Sequence, residues 1–273
     1  MWRNRLYSGI SIIGLAAGIS CCLLIGMYVF DELTYDTFHE HKEKLYRIST
    51  KGGNITAGMA GFNVGPTLQE ENDEVENQCR LIYFGKRVSI QSELAHFNEN
   101  GLYYADSTFF DLFSYQLLKG DKAIALSGKN KVVISEYLAK RYFGEKEALG
   151  KELTINRDVY TVSGIIENTP SNSDLRYQAF ISMSSLNPQW VQVFKQDWFR
   201  IMAFTYLKFK TKPKPTEFQA KLDAFGEKYV RPYAEQNGTN EMYYYEAVPI
   251  TKVHFDNGNE FDSPNGNKSY VYI

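Results

Sequence analysis

The stretch GMYVFDELTYDTFHEH, Gly26–His41, changes character at its middle: small and apolar residues run to Phe30, and acids and histidines follow from Asp31. Upstream of this seam, the twenty-five residues Leu6–Phe30 carry no charge. As a helix they reach about 37 Å, beyond the roughly 30 Å hydrocarbon core of a bilayer, which leaves room for tilt. The apolar core of a cleaved signal peptide is about 7 to 15 residues long, so this run is too long for one. A lipoprotein signal also fits poorly, because Gly18-Ile19-Ser20 ahead of Cys21 lacks a leucine-like residue and the apolar run continues past the cysteine. The reading is a membrane-spanning helix within residues 1–31, with the lipid bilayer as its first partner.

Arg3 and Arg5 precede the span, whereas Asp31, Glu32 and Asp36 follow it. Basic residues favour the cytoplasmic side, which puts the N-terminus in the cytoplasm and residues 32–273 outside. Gly14, Gly18, Cys22 and Gly26 recur every fourth residue and share one ridge, where small side chains let a second helix approach closely. A packing partner within the membrane is expected there. No later stretch has the run of about eighteen apolar residues that a second span needs, so the remainder is expected to fold in water. A net charge of −2 supplies no basic field for nucleic acid. Three cysteines, Cys21, Cys22 and Cys79, do not make a disulfide framework and leave the redox compartment open.

Downstream, strand and helix signals alternate, which gives an α+β class. Thr37 with Glu40 three residues on reads as a capping box opening a short helix to Lys44. Leu45–Ser49 then reads as a strand and the glycine-rich Lys51–Gly65 as a mobile loop. Pro66 suits the first turn of a helix bearing Leu68 and the acids Glu70, Glu71, Asp73 and Glu74, and Cys79–Phe84 reads as a second strand. The same order returns near the end, with strand Phe204–Lys210, a connection at Pro213 and Pro215, helix Thr216–Tyr229 and strand Tyr243–Ile250. On that helix Phe218, Leu222 and Phe225 share one face. The two strand-helix-strand units, about 40–84 and 201–255, predict a split ferredoxin-like layer with residues 85–200 inserted as a β-rich subdomain.

Within the insertion, Asp106 is expected to cap a short helix whose Phe109, Phe110 and Phe113 enter the core. Lys131–Ser135 reads as a strand running into a helix capped by Ser135, led by Glu136 and closed by Lys140, Arg141 and Gly144. KELTI and VYTVSGII pair as a hairpin across Asn156, Arg157 and Asp158.

Signatures of catalysis are missing from the linear sequence. A phosphate loop needs four residues between its glycines and a serine or threonine after its lysine; Gly144–Lys151 has five, and Glu152 stands in the hydroxyl position. His39 and His41 point to different faces of a helix, with no cysteine nearby, and read as solvated surface rather than metal ligands. His96 and His254 are isolated, and no serine sits in a G-x-S-x-G elbow. Asp31 and Glu32 read as the polar edge where the chain leaves hydrocarbon. No catalytic, cofactor-binding or metal-ligating residue is assigned, no cofactor is expected, and the protein is not read as an enzyme.

Long ordered blocks carry a likeness to a known family. WRNRLYSGISIIGLAAGISCCLLIGMYVFDELTYDTFHEHKEKLYRI, Trp2–Ile48, resembles the first membrane helix and exit of MacB/FtsX-like ABC transporter permeases, in particular the bacteroidete-type branch whose chain carries no ATPase domain. YYADSTFFDLFSYQLLKGD (Tyr103–Asp121), VVISEYLAKRYFGEKEALGKELTI (Val132–Ile155) and YTVSGIIENTPSNSDLRYQAFIS (Tyr160–Ser182) resemble that family's periplasmic core domain. The resemblance implies an inner-membrane permease subunit of the mechanotransmission type. A separate cytoplasmic ATPase subunit would drive membrane helices that move a periplasmic domain, itself made of a porter-like ferredoxin layer and an inserted subdomain. It further implies a second permease subunit in a dimer, and periplasmic or outer-membrane partners.

The family usually begins with a longer amphipathic segment and continues with three further membrane helices, the next starting near Ser269–Ile273. The chain is therefore expected to be the front portion of such a permease. The competing reading is a single-span, membrane-anchored extracytoplasmic binding or sensor module. A third, an anchored enzyme, would need a polar cluster in a cleft.

Overall fold

In the computed structural model, which describes residues 2–53 and 55–256, the uncharged run forms one continuous helix, α1 (Trp2–Leu33). Its segment Gly9–Leu33 is long and apolar enough to cross a membrane, and none of it is buried against the rest of the chain. Leu15, Leu24 and Phe30 lie open on it. A helix apolar on every side needs hydrocarbon or other helices around it.

After α1 come the strands β1 (Leu45–Gly52), β2 (Ile55–Ala57) and β3 (Ala60–Gly61), then α2 (Val64–Glu71) and β4 (Val75–Tyr83). The middle of the chain adds β5 (Val88–Gln91), β6 (His96–Glu99), β7 (Leu102–Ala105), α3 (Phe109–Leu112), β8 (Leu117–Gly120), β9 (Lys131–Ser135) and α4 (Glu136–Phe143). It continues through β10 (Glu152–Ile155), β11 (Asp158–Ile166), β12 (Ala179–Ser182) and α5 (Pro188–Gln196). The last part holds β13 (Ile201–Phe209), α6 (Pro215–Phe225), α7 (Arg231–Gln236), β14 (Tyr244–Pro249) and α8 (Ile250–Val253). One sheet runs in the order β14-β1-β13-β4-β7-β12-β9-β11-β10-β5-β6, with β2, β3 and β8 attached at β1, β13 and β11.

At one end, β14-β1-β13-β4 pair antiparallel throughout. Both connecting helices cover the same face: Leu68 of α2 and Phe218, Leu222 and Phe225 of α6 pack with Tyr46, Ile48, Leu207 and Phe209. The opposite face, with Leu45, Leu81 and Tyr206, packs on Phe109, Phe113, Tyr115 and Phe180. Covered on both sides, β1 is buried over Leu45–Thr50. Past Phe225 the helix widens into a π turn, Gly226–Val230, before α7 resumes.

The middle of the chain extends this sheet. Leu81 of β4 pairs with Ala105 of β7, β12 runs parallel to β7, and β11 runs parallel to β9. Its own core gathers Val132, Ile134, Leu138, Tyr142, Leu153 and Ile181. Helix α4 forms as read: the Ser135 hydroxyl accepts the Leu138 N–H at 3.2 Å, and Gly144 ends it at φ +63°. The β10–β11 hairpin turns at Asn156, whose φ of +56° lies in the left-handed region that asparagine tolerates.

Several local readings differ. Thr37 caps nothing: its hydroxyl donates back to the Thr34 carbonyl at 2.8 Å, and only a single 3-10 turn, Lys42–Lys44, forms where a helix was expected. Lys51–Gly65 is not an open loop, because Ala57, Ala60, Phe62 and Val64 are buried along β2, β3 and the start of α2. Its glycines serve close approach: a Cβ on Gly52 would collide with the Met242 carbonyl. Helix α2 starts two residues before Pro66 and ends at Glu71, leaving Asp73 and Glu74 outside. Asp106 accepts the Phe109 N–H through its carbonyl, while its carboxylate turns to Arg80. Ser269–Ile273, where a second span was expected, lies outside the described residues.

Candidate functional site at the membrane exit

Helix α1 ends on Asp31, Glu32 and Leu33, and the chain turns through Thr34–Thr37, where the Thr34 and Thr37 N–H groups reach the Asp31 and Thr34 carbonyls. Asp36 makes the turn possible with φ +53°, a conformation aspartate tolerates better than most residues. Its N–H donates to the Asn172 carbonyl at 2.9 Å, and the Asn172 amide returns a bond to the Thr34 carbonyl at 3.1 Å. The segment leaving α1 is thus stitched to the loop ahead of β12.

Side chains complete the joint. The His254 ring lies between two carboxylates, with Nε2 3.2 Å from Glu32 Oε2 and Nδ1 3.2 Å from Asp174 Oδ1. Tyr35 stacks on that imidazole at 3.5 Å between ring centroids. The Asp36 carboxylate accepts the Ser173 hydroxyl at 3.2 Å and the Asp174 N–H at 3.3 Å. His39 Nδ1 accepts the Ser114 N–H at 3.2 Å, which leaves the proton on Nε2, 3.9 Å from Asp36 Oδ1. Four remote segments meet here: the end of α1 with the turn after it, Ser114 past α3, the loop Asn172–Asp174, and the residue just past α8.

Burial sets the electrostatics. Asp36 and His39 are each only 2 % exposed. Burial, aided by the neighbouring Asp174 charge, pushes the Asp36 carboxyl up to about 7 against the hydrogen bonds from Asp174 and Ser173. Burial pushes the His39 imidazole down to about 4. For His254 burial acts downward, but the bonds to Asp174 and Glu32 outweigh it and hold the ring above its ordinary value, favouring the imidazolium. His39 is therefore not the solvated surface residue that its sequence implied, and Glu32 is more than a polar edge.

The cluster is not a hydrolytic site. Ser173, Asp36 and His39 are neighbours, but Ser173 is fully buried and its hydroxyl bonds Asp36 and Tyr115 rather than a histidine. His96 is exposed on β6, its ring 2.8 Å from the Ser89 hydroxyl. What the arrangement does is bind a helix end to a domain through a titratable ring. Gly14, Gly18, Cys22 and Gly26 stand on α1 with their faces open, and no atom lies within 4 Å of a Cβ built on any of the three glycines.

Sequence reading missed His254 and Asp174 because they lie 80 residues apart, and Glu32 lies 222 residues from His254. Only the Asp36–His39 spacing was a local signal.

The model of the MacB-like periplasmic core domain family matches residues 8–225, most of the chain. The chain belongs to that family. Glu32, Asp36 and Asp174 of this MacB-like domain fall inside the matched range and His254 falls beyond it. Among solved structures, a domain assigned to a permease protein from Porphyromonas gingivalis is similar at 18 % identity and TM-score 0.67, covering 86 % of this chain and 98 % of that one. The periplasmic region of MacB from Actinobacillus actinomycetemcomitans is similar at 14 % identity and TM-score 0.53, covering 80 % and 94 %. No curated protein matches the chain.

Proposed function

We propose that this chain is the membrane-proximal part of an ABC-type permease subunit, in which α1 crosses the inner membrane from a cytoplasmic N-terminus and the MacB-like domain faces the periplasm. Its task is mechanical: movement of α1, driven by ATP hydrolysis on a separate cytoplasmic ATPase subunit, passes into the domain and serves export. The observation that carries this reading is the exit joint. A mere tether would leave the membrane through a free linker, whereas here the helix end is fixed by Glu32–His254 and by paired backbone bonds at Asp36 and Asn172.

The strand order β14-β1-β13-β4, with α2 and α6 on one face, supports a split ferredoxin-like, porter-like layer made of residues 40–84 and 201–255. Residues 85–200 are the inserted subdomain. The open ridge Gly14, Gly18, Cys22 and Gly26 suits packing against another membrane helix of the same or a second permease subunit, consistent with a dimer.

The test is to purify the chain by an affinity tag from its native membranes and assay the eluate. An ATP-hydrolysing subunit should accompany it, and Glu32→Gln should reduce the response of the domain to nucleotide, read as hydrogen exchange at residues 34–41. An eluate without hydrolysis would overturn the reading in favour of an anchored sensor module.

A further inference from the structure

A groove of about 1180 Å³ lies where the four-strand layer joins the inserted part. It is larger than the roughly 300–1,000 Å³ of sites that enclose compact small molecules. Met59 and Phe204 come from one side of the joint and Tyr103 from the other, and Tyr83 of the crossing strand β4 stands 37 % exposed between them. Lys86 and Arg176 stand at its rim. The Arg176 guanidinium donates to the Pro170 and Ser171 carbonyls at 3.1 and 2.8 Å, so its charge is oriented but not neutralised. Neither cation has a carboxylate partner among the described residues. The acid at the groove, Glu99, is already paired with Arg141 at 2.9 Å.

Arg176 also reaches the Tyr35 hydroxyl at 3.4 Å, two residues past the end of α1. One end of this aromatic, cation-rimmed groove therefore opens beside the point where the chain leaves the bilayer. We infer that the groove receives an anionic phospholipid from the adjacent leaflet, its phosphate between Lys86 and Arg176 and its acyl part over Tyr83, Tyr103 and Phe204. The apolar floor takes the surface that water disfavours, and the uncompensated cations take the charge. A lipid seated there would bridge the two halves of the domain. The inference rests on the proposal that α1 spans the membrane.

The full chain is reconstituted in phosphatidylcholine nanodiscs with a trace of phosphatidylglycerol bearing a photoreactive acyl chain, irradiated, and its labelled peptides mapped. Label is expected on peptides containing Tyr83, Tyr103 and Phe204. Lys86→Met should reduce it about fivefold, the worth of one basic side chain at an anionic surface, with label on α1 unchanged. Among the described residues Lys86 has no hydrogen bond or ion pair, so its loss leaves a folded control. Label confined to α1, equal groove labelling by photoreactive phosphatidylcholine, or full displacement by soluble glycerol phosphate would each overturn the inference. Failure of the chain to enter the discs would instead overturn the membrane-spanning reading on which it rests.

Discussion

Arg80 and Asp106 meet across β4 and the end of β7, fork to fork at 2.8 and 2.9 Å, with the Arg80 N–H on the same carboxylate and the guanidinium 4.1 Å over the Phe62 ring. Glu32 and Asp174 instead hold His254 from either side at 3.2 Å, and Asp36, four residues past Glu32, accepts the Asp174 N–H at 3.3 Å. Both clusters are largely buried. The first joins a guanidinium and a carboxylate by paired bonds between neighbouring strands, so local unfolding is needed to separate them. The second depends on an imidazole, which can lose its proton, and whose two carboxylate partners hold it above its ordinary value. A sheet needs the former; on the function proposed above, a joint that yields to a moving helix can use the latter.

The largest effect that sharpens this contrast is on the Arg80–Asp106 pair. Asp106→Leu strands the Arg80 charge in a nearly closed site and should cost about 3–5 kcal/mol of unfolding free energy. Arg80→Met combined with Asp106→Leu should recover part of that loss, since neither charge then remains unmatched while the Arg80 N–H and the Gln78 amide still lack their acceptor. Denaturant unfolding of the detergent-solubilised chain, followed by near-UV circular dichroism, measures both. A single variant as stable as the parent would mean the pair carries no such role.

Short-range features were legible in the sequence, and the joint was not. The Ser135 cap, the Gly144 stop and the α6 face depend on contacts within a turn or two, which residue type and spacing encode. The exit of α1 was legible as a change of polarity at Asp31. Its destination was not, because a cap motif at Thr37 and Glu40 competes with bonds to residues 172 and 114, and the tertiary bonds prevailed. The buried Met59, Ala60 and Phe62 hid among glycines that look mobile until the sheet packs over them. His254 carried no local signal at all.

Within the second cluster, pH separates the titrating members. The raised Asp36 carboxyl favours the protonated fold, a contribution present below its ordinary value and lost as pH rises towards about 7. The lowered His39 acts the other way, its contribution present above the ordinary histidine value and lost as pH falls towards about 4. The two slopes oppose each other across this interval, so the parent should be nearly flat there. Asp36→Asn should unmask His39 and make stability rise with pH by on the order of 2 kcal/mol, measured as thermal midpoints in a pH series. A variant as flat as the parent would break the assignment.

The smallest effect is the one closest to function. Glu32→Gln keeps a hydrogen-bonding side chain at the end of α1 but removes one of the two carboxylates that hold His254 protonated, and should loosen the joint by about 1 kcal/mol. Because His254 is held above its ordinary value, its contribution is complete at lower pH and is lost as pH rises through the raised value. Removing the Glu32 charge lowers that raised value, so the loss should begin at lower pH in the variant. Amide protection at Asp36 and Glu40, whose N–H groups bond Asn172 and Ser114, corrected for intrinsic exchange, reads this directly, while protection in β1 and β13 should not change. Equal shifts at both places would show that the joint and the sheet unfold as one unit, and the distinction between a fixed pair and a releasable one would fail.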